Sequence, residues 1–349
     1  MTYEYEKVAT PASGLRLHLN ENTSGCSPAV VDALRRVSCH DAAFYPDYTA
    51  AIAACAKHLA VADDQLLLTN GLDEGILAAS IVALRGGGEE LPYEAIVVVP
   101  AFDMYAACAD GAGGLIREVP QREDFAFPLQ EVLQTIGPRT RIIFLTNPNN
   151  PTGLTIERAA ILAIADAAPL ATIFLDEAYA DFSGTTLIGD AALVARPNIV
   201  VGRTFAKAYG LAGLRAGALV ATPERLAPLR RVVPPYSVNA AAAAALPAAL
   251  ADTAHYTSYL EQARRSKELL YEMLERLGVP HWKSEANFVL ARFGSHAKRV
   301  VDGLSARGIH VRDRSADHGC AGCVRITAGV LEHTRRCIAA IEEVMCGAR

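Results

Sequence analysis

The chain has little net charge and no basic run of any length. Its 33 Lys and Arg residues against 38 Asp and Glu leave −5, so the electrostatic footprint of a nucleic-acid binder is missing and no such partner is expected. It has no uncharged apolar stretch of membrane-spanning length, and the opening M-T-Y-E-Y-E-K-V-A-T-P lacks the apolar centre of a signal peptide. The expectation is a cytoplasmic protein with no membrane partner. Disulfide density is also lacking: eight cysteines scattered from Cys26 to Cys346 would stay reduced in that compartment. Cys320 and Cys323 have metal-ligand spacing with His310 and His318 nearby, but no second pair exists. No metal site is expected, and G-C-A-G-C reads as a tight turn entering a strand. Beyond a run of alanines there is no low-complexity tract and no internal repeat.

What is present fits a compact two-domain protein. The 349 residues are 51% hydrophobic and 20% charged, too long a chain for one small core, so one large domain and a smaller one are expected. From Ala95 onward, short β-branched runs alternate with helix-forming stretches: A-I-V-V-V-P, L-I-R-E-V-P, R-I-I-F-L-T, T-I-F-L-D, N-I-V-V-G and G-A-L-V-A. Near-continuous apolar strands of this kind belong to an α/β fold with a mostly parallel sheet covered by helices on both faces. Ligands in such sheets sit beyond the carboxyl ends of the strands. Helices are expected at about 28–37, with Ser27 capping and Pro28 first, and at 50–59. An alanine-rich helix from Asn239 should break near Pro247, a long helix should run over 253–277, and a closing helix over 332–345.

The stretches that carry chemistry follow strands. V-G-R-T-F-A-K-A-Y-G-L-A-G-L-R-A-G, from Val201 to Gly217, sets Lys207 between a hydroxyl-bearing and a glycine-rich segment. A lysine there can form a Schiff base with a carbonyl cofactor, and Arg215 can serve as a fork for a phosphate. N-G-L-D-E-G turns at Asn70-Gly71 into a helix, whose open amides at Gly71, Leu72 and Asp73 make an anion site. P-A-F-D-M-Y offers the ring of Tyr105. T-N-P-N-N-P-T-G presents Asn150 at a strand end, and F-L-D-E-A-Y buries Asp176 at another, where the carboxylate needs a cationic partner. Tyr179 follows one turn later. In A-F-Y-P-D-Y, Tyr45 precedes a proline and is expected on a loop.

In this order, together with L-N-E-N, S-E-A-N-F-V-L and V-R-I-T-A-G, these motifs span nearly the whole chain. The chain resembles the pyridoxal-phosphate-dependent aminotransferases of fold type I, more narrowly the histidinol-phosphate aminotransferase subgroup. The resemblance implies pyridoxal 5'-phosphate as cofactor and a large cofactor-binding domain over 45–235. It further implies a small C-terminal domain over 236–349, joined by an N-terminal segment over 1–44. Lys207 would be the Schiff-base lysine, Asp176 the partner of the pyridine nitrogen, and Tyr179 and Asn150 the partners of the ring hydroxyl, with Tyr105 stacked on the ring. Arg215, Thr204 and the amides at Gly71, Leu72 and Asp73 would hold the phosphate, while Arg325 and Asn22 would bind substrate. Tyr45 would reach the phosphate of a neighbouring subunit, implying a homodimer with shared sites.

Two departures stand out. The subgroup commonly has Pro-Tyr after N-E-N, where this chain has Thr23-Ser24, and its serine before the lysine is Ala206 here. The expected reaction passes an amino group from an amino acid or amino-alcohol phosphate to a 2-oxo acid. The alternative is a lyase, decarboxylase or cyclase using the same lysine, aspartate and arginines. A cofactor-sensing DNA-binding regulator is not expected, because the matching pattern begins at about Leu17.

Overall fold

The structure, a computed structural model, describes residues 11–88, 91–190 and 196–347. Its centre is a seven-stranded sheet in the order β2-β8-β7-β6-β5-β3-β4. The strands are β2 (Leu66–Asn70), β3 (Glu94–Val99), β4 (Leu115–Pro120), β5 (Thr140–Thr146), β6 (Thr172–Asp176), β7 (Ile199–Thr204) and β8 (Ala216–Val220). All are mutually parallel except β8, which runs antiparallel to both β7 and β2.

The period of two in a strand divides each apolar run between two cores. Ile143 and Leu145 of β5 pack on one face, Ile142 and Phe144 on the other. Helices Gly71–Leu84 and Met104–Gly111 cover the second face, contributing Leu72, Ile76, Tyr105 and Cys108. Helices Pro28–Arg35, Thr49–Leu59, Arg158–Ala167 and Ala240–Ala251 cover the first.

A smaller unit holds the antiparallel sheet β11-β12-β9, made of β9 (Phe288–Arg292), β11 (Arg312–Asp313) and β12 (Cys323–Thr327). Beside it β1 (Leu15–Arg16) pairs in parallel with β10 (Ile309–His310). Helices Thr253–Arg276, Ala297–Ala306 and Leu331–Cys346 close its core around Leu270, Val300 and Ile341.

Local signals account for most boundaries. The Ser27 hydroxyl accepts from the Ala29 amide with Pro28 next in line, and Asn239 caps the alanine-rich helix through the Ala242 amide at 2.8 Å. That helix does not break at Pro247; it runs on to Ala251. A mid-helix proline costs about 3 kcal/mol, and the buried Ala242, Ala245, Leu246 and Ala249 offset it.

The packing also divides the chain away from the 44/45 and 235/236 boundaries expected above. Ala240–Ala251 and Pro28–Arg35 pack on each other in the large core, while Leu15 and Leu17 join the small one. Residues 1–10 of the expected N-terminal segment lie outside the described residues. The G-C-A-G-C segment is the expected turn: the Cys323 amide donates to the Cys320 carbonyl at 2.8 Å, and β12 begins there. Among the described residues no cluster suited to a metal ion occurs, and no helix is long and apolar enough to cross a membrane.

Candidate active site

The carboxyl ends of β5, β6 and β7 open into a cavity of about 510 Å³, closed on its other side by residues of β1, β11 and β12. Asp176 is the last residue of β6 and Thr204 the last of β7, with Lys207 on the loop beyond it. Because β8 is antiparallel, its first residues return to the same end of the sheet, and Arg215 meets the cavity just before it. Arg215 has φ +57°, an uncommon conformation for a residue with a side chain, which costs about 1–2 kcal/mol and clusters at functional positions.

Asp176 is buried, with one oxygen accepting from the Tyr105 hydroxyl at 2.6 Å and the other from the Ala178 amide at 2.8 Å. Burial pushes its carboxyl up to about 6; the Tyr105 and Ala178 hydrogen bonds pull the other way and only partly offset this. No ion pair to it forms among the described residues. A buried carboxylate left in that state is suited to a cationic partner arriving from the cavity.

Lys207 Nζ donates to the Leu19 carbonyl at 2.9 Å and lies 5.9 Å from the centroid of the Tyr179 ring. The Tyr179 hydroxyl accepts from Asn20 Nδ2 at 3.0 Å, which leaves its own proton free to donate. Asn150 Oδ1 accepts from Arg325, whose other terminal nitrogen donates to the His18 carbonyl at 2.6 Å. Burial draws the Arg325 guanidinium down to about 10, still cationic at neutral pH.

The anion site expected at 71–73 is a helix start. The helix begins at Gly71 itself, so the amides of the first turn have no partner within it. Gly71 is required there: its φ is +72°, and a Cβ would lie 2.4 Å from the Arg215 guanidinium. Arg215 donates to the Asp73 carboxylate at 2.7 Å, so Leu72, Asp73, Thr204 and Arg215 line one mouth of the cavity.

Asn22 and Tyr45 lie off this chain's own cavity, Tyr45 being the residue expected at a neighbouring subunit, while Tyr105 is part of the wall. Asn22 does not line the cavity: its amide nitrogen donates to the Ala208 carbonyl at 2.9 Å and its oxygen accepts from the Ser24 amide and hydroxyl. Asn20 and Glu21 reach the cavity instead. Tyr105 lines the cavity at 1% exposure, stacked on Phe144 at 5.0 Å with its hydroxyl on Asp176. Phe102, half-buried and edge-on to Tyr105 at 5.7 Å, is a further aromatic ring in the wall beside Tyr105 and Tyr179. Tyr45 is 78% exposed and stacks at 4.2 Å on Tyr236, outside the cavity.

Sequence reasoning also missed Arg16, Arg312, Arg314 and Asp103, all in the wall. The alternation V-R-D-R carried a signal for two of them, since residues two apart on a strand share a face. Arg312 is the register partner of Arg325 across β11 and β12.

Pyridoxal phosphate fits this arrangement. The Asp176 carboxylate, without an ion-pair partner among the described residues, suits a protonated ring nitrogen, the first-turn amides with Arg215 suit the phosphate, and Lys207 lines the same cavity.

Comparison with known proteins gives the same assignment. The profile of the family Aminotransferase class I and II matches residues 12–341. A histidinol-phosphate aminotransferase of Moorella thermoacetica is 36% identical over 95% of this chain and 85% of its own length. Histidinol-phosphate aminotransferase 2 of Ralstonia nicotianae is 36% identical over 96% of this chain and 89% of its own. The crystal structure of histidinol-phosphate aminotransferase from Sinorhizobium meliloti in complex with pyridoxal-5'-phosphate superposes with a TM-score of 0.86 at 26% identity, covering 97% of this chain and 92% of that one. The fold expected from the sequence is thus the fold found, the cofactor is pyridoxal phosphate, and the chain belongs to the class I and II aminotransferases.

Proposed function

We propose that this pyridoxal-phosphate-dependent aminotransferase takes its amino group from an anionic donor, an amino acid or an amino-alcohol phosphate of the histidinol-phosphate kind, and passes it to a 2-oxo acid. The observation that carries the donor class is the arginine wall: Arg16, Arg312, Arg314 and Arg325 face the cavity that holds Lys207. A planar guanidinium fork accepts a carboxylate or a phosphate bidentately.

Pyridoxal phosphate, when bound, supplies a carbonyl for the migrating amino group and a ring that accepts electrons. The chain supplies the rest. Asp176 would keep the ring nitrogen protonated, Tyr179 and Asn150 would hydrogen-bond the ring hydroxyl, and Phe102 would lie beside the ring. Arg215, Thr204 and the amides of Leu72 and Asp73 would hold the phosphate, with Gly71 leaving room for Arg215. Lys207 would hold the cofactor at its carbonyl, and its amine, facing the cavity, would be the base that takes and returns the proton at the substrate α-carbon. Arg325 fixes the donor's anionic group so that this proton lies within the lysine's reach.

The enzyme works as a homodimer in the cytoplasm. An exposed aromatic patch of Phe44, Tyr45 and Tyr236 supports the dimer, with Tyr45 reaching the phosphate in the neighbouring subunit. The free cysteines support the compartment.

Absorbance of the reconstituted protein tests the reaction against a panel of histidinol phosphate, aromatic amino acids, glutamate and arginine. The expected result is that one donor bleaches the visible band of the lysine-linked cofactor and a 2-oxo acid restores it. A donor consumed while the band returns without any 2-oxo acid makes the enzyme a lyase, decarboxylase or cyclase instead.

Arg325→Ala separates substrate from cofactor. Losing a buried, hydrogen-bonded charge partner costs roughly 2–5 kcal/mol, so KM for the donor should rise by about 30-fold or more with cofactor affinity nearly unchanged. Equal loss of both would move Arg325 out of the substrate site.

A further inference from the structure

The arginines of the cavity wall are already partly engaged. Arg16 donates to Glu21 at 2.6 Å, Arg314 pairs with Asp317, and Arg325 is held by Asn150 and the His18 carbonyl. Two acceptors on the same wall are not. The second oxygen of Glu21 is buried with no hydrogen-bond partner among the described residues. Asp103 is the residue preceding helix Met104–Gly111, the position where an aspartate ordinarily bonds the first-turn amides, yet its side chain makes no such bond. Its own backbone is already helical, at φ −58° and ψ −24°, which turns the carboxylate away from those amides. It lines the cavity, half-buried, with no ion pair among the described residues.

Asp103 is not needed to neutralise Arg314, which has Asp317, and it does not cap its helix. A ligand that brought only an anion would cover Asp103 without satisfying it, and an acceptor left unsatisfied beneath a ligand costs affinity. A ligand that also brought a hydrogen-bond donor would satisfy it.

We propose that Asp103 is a specificity-determining residue, receiving an ammonium, guanidinium or imidazole N–H group on the donor's side chain while Arg325 receives its anionic group. This rests on the aminotransferase reading of the site and narrows its substrate class: the donor carries an anion and a separate N–H or cationic group.

The test uses the reconstituted enzyme and two matched pairs, L-arginine against L-norleucine and histidinol phosphate against phenylalaninol phosphate. Dissociation constants come from the donor-induced change in cofactor absorbance, and amino transfer to 2-oxoglutarate is followed separately. Wild type should bind the member with the distal cation or N–H donor about tenfold or more tightly in at least one pair. In Asp103→Ala that gap should close to less than about threefold, while the neutral member and the cofactor band change by less than about twofold, and Asp103→Glu should restore part of the gap. Wild type that fails to distinguish either pair, or an Asp103→Ala variant that weakens both members equally, overturns the proposal. A gap that depends on Asp103 without any amino transfer would leave the assignment standing and overturn the aminotransferase reading.

Discussion

Lys207→Ala will bind pyridoxal phosphate without linking to it, and amino transfer will fall to background. In the proposed mechanism the side chain has two tasks, as covalent anchor and as the base beside the substrate α-carbon, with no neighbour to assume them. Among the described residues the cavity wall contains no second lysine. Positioned proton transfer alone contributes about 10²–10⁴-fold, so kcat should drop by at least that factor, with the loss of the anchor added. Asp176, Arg215 and the first-turn amides are untouched, so the variant should still take up the cofactor, visible by fluorescence titration, with the absorbance of free rather than lysine-linked cofactor. A visible band from a lysine-linked species that survives the substitution would assign the anchor to another residue.

Asp176→Asn will lower kcat by about 10²–10³-fold, the range lost when a preorganised electrostatic partner is removed from a closed site. The same substitution has a signature without substrate. With burial raising its carboxyl from 3.8 to about 6, the folded cofactor-free protein binds more protons than the unfolded chain between those values. Its stability therefore falls as pH rises through that window and stays lowered above pH 6, by about 3 kcal/mol. Asparagine keeps the shape: its oxygen can accept from Ala178, and Tyr105 can turn its hydroxyl toward Thr146, 2.9 Å away. Cofactor-free Asp176→Asn should thus melt higher than wild type at pH 8, and the difference should vanish near pH 4. Added pyridoxal phosphate should raise its Tm less than it raises that of wild type. A cofactor-free variant that melts lower at pH 8 would mean the carboxylate is compensated by charges already in the protein.

Positions fixed by local signals were legible in the sequence, and those fixed by tertiary choice were not. Asp176, Thr204 and Lys207 follow from where apolar runs end, and Gly71 from a turn that admits no side chain. Asn20 and Asn22 differ by two residues on one loop. Which of them faces the cavity is decided by Tyr179 and the Ala208 carbonyl, partners more than 150 positions away in the chain. How Tyr105 meets the cavity is likewise a tertiary matter, since it is set by stacking on Phe144 and by the hydrogen bond of its hydroxyl to Asp176. Arg325 came from its motif, whereas Arg312 and Arg314 needed the pairing of β11 with β12. The helix through Pro247 persisted because the core it packs against outweighs local propensity.

The reversed direction of β8 has a mechanical consequence. A parallel strand there would carry Arg215 to the opposite edge of the sheet, roughly 15 Å away for a strand of this length. Instead one loop, leaving β7 at Thr204 and re-entering at Ala216, bears both Lys207 and Arg215, the residues proposed for the cofactor's carbonyl end and for its phosphate. Any insertion or deletion in that loop would displace both together while Asp176, on a separate strand, stays still. Under the proposed mechanism, change should therefore be better tolerated on the wall built by β1, β11 and β12 than on the loop that would keep the cofactor in register.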